Sequence, residues 1–267
     1  MAVESFKKEL WEQALIKGFE GVTVADLITK KPTSIEGSKA IFNRASLTTG
    51  LQDYTVTIKY EGANTEAIEL VYDKKKYFAI YLDDCDKVQL AGDVMLSLTQ
   101  EQAYKIKETI DSAIFTEASA NAGSLIGSKT TKKEITTPDE AYDYVVDLGT
   151  KLDEKNVPTV GRYLIARPEF VNLLAKDKRV IDNANVLANG IVEGMVINGI
   201  QVIKTQLCPT NQVIALSNVA TGYGKQIEKT EALRLESSFS DAVRGLVQFG
   251  VKTLQAEGIA VLNYEIK

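Results

Sequence analysis

Apolar residues between positions 90 and 121 recur every three to four residues. Ala103, Ile106, Ile110, Ala113, Ile114 and Ala118 fall on one stripe, with Lys105, Lys107, Glu108 and Glu117 mostly off it. The spacing predicts one long helix with a buried face, stopped by Asn121-Ala122-Gly123. Thr99-Gln100-Glu101-Gln102 fits a capping box, so a break or a start is expected there. A second helix is predicted from Thr137-Pro138-Asp139-Glu140, which supplies an N-cap, a proline at the first position and a glutamate at the third. Its stripe is Ala141, Val145, Leu148 and Leu152, and it ends at Asn156-Val157-Pro158. Residues 4–17 predict an amphipathic helix through Phe6, Leu10 and Ala14, closed by Gly18 and Gly21, with Trp11 as its anchor.

Elsewhere the period drops to two. Lys39–Ala45 alternates around Ile41 and Phe42, and Tyr54, Val56, Ile58 and Tyr60 alternate with Asp53, Thr55, Thr57 and Lys59. Glu61-Gly62-Ala63-Asn64 reads as a turn, Ala67–Tyr72 as a strand, Asp73-Lys74-Lys75-Lys76 as a second turn and Tyr77–Leu82 as a further strand. These half-polar strands make a long arm that is marginal alone and needs a surface to lie on. Pro158 and Gly161 mark a turn before the strand Arg162–Ala166, and Pro168 opens a helix reaching about Ala175 with Phe170, Leu173 and Leu174 inward. Ser124–Thr137 is rich in Gly, Ser, Thr and Lys and reads as a loop or mobile strand, and as the best candidate for a domain boundary. The Asn-rich stretch 182–190 reads as a loop, and Asn198-Gly199 between two apolar runs signals a hairpin. Val213–Leu216 reads as a strand and Ser217–Tyr223 as a short helix or loop. Thr230–Phe239, Ala242–Lys252 and Glu257–Ile266 are the closing strands. The whole predicts an α+β fold.

Composition narrows the chemistry. The 267 residues contain no histidine, which removes the commonest general base and metal ligand. Cys85 and Cys208 lie far apart and read as free thiols rather than a disulfide framework. The N-terminus has no apolar signal region, and no stretch reaches the roughly 20 apolar residues of a membrane span. The expectation is a protein kept in the cytosol, or in whatever particle it builds. The net charge of −5 argues against a protein that grips nucleic acid by its phosphates.

No motif supplies catalysis. Gly123–Thr130 lacks the phosphate-loop spacing, because Ser128 stands between Gly127 and Lys129, and a helix rather than a strand precedes it. Asp83 and Asp84 are adjacent, so a strand points them to opposite faces. The acidic run Asp83, Asp84, Asp86 lacks the central glycine of a calcium loop. Lys74, Lys75 and Lys76 flank the same strand with opposite sign. Solvation accounts for both runs, and so does pairing between copies of the chain, where exposed ion pairs set register more than strength.

One stretch is distinctive in its phrasing: Pro158-Thr159-Val160-Gly161-Arg162-Tyr163-Leu164, then Pro168-Glu169-Phe170 and Leu173-Leu174. It resembles the central segment of tailed-bacteriophage major capsid proteins with the Hong Kong 97-type shell fold. Gly194–Val202 and Asp241–Lys252 resemble the same family, in the same order. The resemblance covers roughly residues 4–265. It implies an N-terminal arm at 1–33, an extended β-loop at 34–88 and a peripheral domain with a long spine helix at 89–137. An axial α/β domain at 138–228 and return strands of the peripheral domain at 229–267 complete it.

The implied function is a shell subunit that self-assembles as pentamers and hexamers around double-stranded DNA. The implied partners are a separate scaffolding protein and a portal; the residues themselves lead us to expect no cofactor, no metal and no membrane. The expected subunit-interface residues are Trp11, Lys59, Glu61, Lys74, Lys75, Lys76, Asp83, Asp84 and Asp86. Two alternatives stay open: an encapsulin-type nanocompartment enclosing protein cargo, and a cytosolic α/β enzyme or small-molecule binder.

Overall fold

The computed structural model describes residues 24–36, 39–46, 64–83, 94–180, 191–236 and 238–267. The helix expected at 4–17 and the alternating run 53–60 lie outside these residues. The elements, in order, are α1 (Ala25–Ile28), β1 (Ser34–Glu36), β2 (Lys39–Ser46), β3 (Asn64–Val71) and β4 (Lys74–Asp83), then α2 (Val94–Ala120). Next come β5 (Ser124–Ile126), β6 (Lys133–Ile135), α3 (Pro138–Asp153), β7 (Arg162–Ala166) and α4 (Pro168–Leu174). The chain closes with β8 (Ile191–Ile197), β9 (Ile200–Lys204), β10 (Gln212–Ser217), β11 (Thr221–Arg234), β12 (Ser240–Thr253) and β13 (Ile259–Ile266).

The central sheet runs β5-β13-β10-β7-β9-β8, with β6 also pairing β13. Its middle strands are buried on both faces. Every residue of β10 is buried, as are the first six of β13. Alternation then sends neighbouring residues into different cores. Ile165, Ile214, Leu216, Ile259 and Val261 join a core with Ile106, Ile110 and Ile114 of α2 and Val243, Val247 and Phe249 of β12. Leu164, Ala166, Val213, Ala215, Ala260 and Leu262 join a second core with Val145, Leu148 and Leu152 of α3 and Phe170 and Leu174 of α4. One sheet is thus the shared wall of two cores.

Local chemistry fixes the elements that flank this wall. Thr137 caps α3 in a full capping box with Glu140. Asn198 (φ 48°) and Gly199 (φ 75°) form the two-residue turn of the β8–β9 hairpin, where both central residues need positive φ. The phrase before β7 is held by Arg162, whose head is buried. Its Nε donates to the Pro158 carbonyl at 2.9 Å and its Nη2 to the Val157 carbonyl, with Asp153 Oδ1 at 2.7 Å. Gly161 has φ 79°, and a Cβ there would lie 2.8 Å from the Asn218 side chain. A polar chain ties α2 to the sheet: Ser119 donates to Gln212 at 2.6 Å, Gln212 to Asn263 at 2.8 Å and Asn263 to the Gly127 carbonyl at 3.1 Å.

Two smaller sheets complete the fold: β1-β2-β3, and β11-β12-β4, whose inner face packs on α2. The first has its own small core of Ala40, Phe42, Leu70 and Tyr72, with Leu254 packed against it. The described part of this sheet lies on its own chain, against β11, the end of β12 and Leu254.

Several expectations need correction. Lys74–Lys76 are not a turn: β4 begins at Lys74, and the turn is Tyr72-Asp73, closed by Asp73 N–H to the Val71 carbonyl at 3.0 Å. Thr99 does not start or break a helix, since α2 runs unbroken from Val94. Lys107 is not off the stripe but 4% exposed. Of the two readings of Ser124–Thr137, loop or strand, the strand applies at β5 and β6, both of which pair in parallel with β13. Ser217–Tyr223 contains no helix; β11 already starts at Thr221. β13 pairs antiparallel with β10 in the central sheet, and its Ile259 and Val261 share the core of α2.

Replacing Arg162 by leucine strips two carbonyls and Asp153 of their buried partner. The expected cost is about 2–4 kcal/mol, read as a lowered urea midpoint of the unassembled subunit.

Candidate functional site

No catalytic arrangement emerges from the described residues. Cys208 is free, buried and held by carbonyls: its thiol donates to the Gln212 oxygen at 3.3 Å. Burial pushes it up to about 12, so it is not a nucleophile at neutral pH. Cys85 lies outside the described residues. Among the described residues no group of three or more His, Cys, Asp or Glu is placed to hold a metal ion. Among them, too, no helix is long and apolar enough to cross a membrane. Arg179, which stacks 4.0 Å over the Tyr142 ring, is a local clamp rather than a binding group. It pairs with Asp177 at 2.6 Å and Asp143 at 3.0 Å, fixing the turn after α4 to α3. That hydrogen bonding holds Asp177 below its ordinary value.

What the surface offers instead is the outer face of the β11-β12-β4 sheet. Strand alternation along β4 sends Phe78 inward and leaves Tyr77 and Tyr81 outward, 83% and 69% exposed. β4 is also the edge of its sheet. A groove of about 530 Å³ opens here, between Tyr77, Phe78, Glu231, Arg244 and Leu246. Arg244 Nε donates to Glu231 Oε2 at 2.8 Å across the β11–β12 pair. Phe239 stands exposed in the connection between those two strands.

The predicted interface residues divide unequally over this picture. Lys74, Lys75 and Lys76 lie at the start of β4, opposite Phe249, Gln248 and Val247. Lys74 pairs with Asp73 at 3.2 Å in solvent. Such exposed pairs contribute about 0–1 kcal/mol. Asp83 is the last residue of β4, opposite Ser240, so the basic and acidic ends lie at opposite ends of one edge strand. Trp11, Lys59, Glu61, Asp84 and Asp86, and the side chain of Asp83, lie outside what the structure describes. The sequence reading missed Tyr77 and Tyr81. Their signal was present: period-two alternation places both on the face opposite Phe78.

Comparison with known proteins gives this surface a context. The phage capsid protein family matches residues 67–262. No curated protein matches the chain. Among solved structures, a chain of Mycobacterium phage Che8 superposes with a TM-score of 0.70 at 23% identity, covering 90% of this chain and 91% of its own. The capsid of cyanophage P-SCSP1u gives 0.68 at 16% identity, covering 92% and 89%. A virus-like particle from Pyrococcus furiosus gives 0.62 at 16% identity, covering 95% and 98%.

Cys208 is expected to resist a disulfide-exchange reagent at pH 8 in the folded chain and to react fully after denaturation. Mass-spectrometric mapping of the labelled thiol checks this.

Proposed function

This chain belongs to the phage capsid protein family, and it has the Hong Kong 97-type shell fold. From that premise we propose that it assembles as pentamers and hexamers into a closed icosahedral shell around phage double-stranded DNA. The observation that carries the reading is the family match over most of the chain, residues 67–262, from within β3 to within β13. The fold alone does not separate a phage shell from other particles, since the Pyrococcus furiosus virus-like particle shares it. The family match favours the phage shell over the nanocompartment. The family is structural, so the chain is read as a shell subunit of the virion and not as an enzyme.

The net charge of −5 supports a shell that contains DNA without neutralising it. A separate scaffolding protein, a portal and assembly in the host cytoplasm belong to the same proposal. So does the five-part division into arm, β-loop, peripheral domain, axial domain and return strands. The β4 edge is the proposed contact between copies. Its basic start at Lys74–Lys76 meets the acidic run Asp83, Asp84 and Asp86 of a neighbour, with Trp11, Lys59 and Glu61 in the same contacts. Each pair is weak alone, but repetition by symmetry makes closure cooperative.

Size-exclusion chromatography followed by negative-stain electron microscopy tests both layers. The wild-type chain, with its scaffold where one is needed, is expected to give closed shells. A chain that stays monomeric under those conditions overturns the shell reading. The triple change Lys74→Glu, Lys75→Glu, Lys76→Glu is expected to abolish closed shells while moving subunit stability by no more than about 1 kcal/mol. A triple variant that closes shells as well as wild type overturns the β4 contact and leaves the shell reading in place.

A further inference from the structure

A group of ionisable side chains is buried where α1 meets α2 and β11. Asp111 is 6% exposed, and Lys107, one helical turn earlier, is as deeply buried. The Asp111 carboxylate accepts from the backbone N–H groups of Ala25 and Val24. These are amides that the start of a helix leaves without partners. Val24 makes no side-chain cap of its own, so α2 supplies the acceptor from a distance in sequence. The other contacts of α1 are apolar: Val24, Ala25 and Ile28 sit in the core with Ile106 and Ile110.

The surroundings of Asp111 do not complete its solvation. Its Oδ1 has no hydrogen-bond partner, and neither do the nearby buried hydroxyls of Tyr223 and Tyr72. The charged and titratable groups that face the site are Asp26 from α1, Lys107 from α2, Tyr223 and Lys225 from β11, and Tyr72 from the β3–β4 turn. Asp26 repels a charge on Asp111, and Lys107 attracts it.

We propose that Asp111 is a proton-sensitive latch that docks α1 onto the long helix α2. A carboxyl in this position meets two opposed demands. Burial disfavours its charge, while the two amides and Lys107 favour it. Burial is the larger effect and pushes Asp111 up to about 7. When α1 lifts away, the carboxyl meets water and returns to the ordinary value near 4. The docked form therefore holds the proton more tightly than the lifted form. By linkage, docking is strongest below about pH 4, weakens as pH rises toward 7, and is level above that. A neutral carboxyl still offers an oxygen to the amides, so protonation keeps the tether and removes the buried charge. The direction is thus release on alkalinisation, not on acidification.

Hydrogen exchange of the full chain reads the latch directly. The measurement runs from pH 4.5 to 8.5, with exchange times scaled for intrinsic rates and the assembly state held constant by chromatography. Protection of the Val24–Thr29 amides is expected to fall by about tenfold or more across this range, since one pKa unit is a factor of ten. Amides of β7 and β10 are expected to keep theirs. Asp111→Asn is expected to flatten the α1 profile. A flat wild-type profile overturns the latch, and so does a variant that retains the wild-type slope. Should the variant fail to fold, carboxyl NMR of the wild type decides: an apparent pKa above about 6 supports the latch, and one near 4 overturns it. The readout is a property of one subunit, so its failure leaves the shell reading untouched.

Discussion

Burial of β7, β10 and β13 on both faces is the constraint from which the rest of the structure follows. A strand covered on both sides cannot be half polar, and β10 has no exposed position. Because alternate residues of each strand enter different cores, a one-residue slip would exchange the two sets. Register is therefore fixed from both sides at once. The hydrophobic stripe of α2 and the inner face of β12 follow from one core, and the faces of α3 and α4 from the other. The two cores are thus joined through one sheet into a single body.

The sequence was most legible where one local rule decides the outcome. The Thr137 capping box, the Asn198-Gly199 turn and the bounds of β7 all follow from a few adjacent residues. The phrase around Arg162 was recognised first by its wording. Its physical sense emerged only in the fold, where the guanidinium binds the carbonyls of the turn that precedes it.

The illegible parts depend on distant partners. Gly222 and Gly224 pair with β12 inside β11, and glycine stands there because the rings of Phe42 and Tyr72 lie against them. A Cβ at those positions would come within 2.8 and 2.7 Å of the rings. Three successive lysines look like a turn, yet they begin an edge strand, where charge is a common guard against unwanted pairing. Lys107 looks solvated, yet it is buried one turn from Asp111, which α1 meets through the Val24 and Ala25 amides. Of the proposed interface, only the β4 part lies within the described residues; its exposed tyrosines followed from alternation but were not read.

The central proposal is that this body tiles a closed shell with the β4 edge as a contact between copies. Cryo-electron microscopy of the assembled particle, at a resolution that traces side chains, tests it most directly. The account predicts an icosahedral shell of pentamers and hexamers in which Tyr77, Tyr81 and the start of β4 are covered by a neighbouring copy. A closed shell in which that face stands bare, with the copies joined elsewhere, would contradict it.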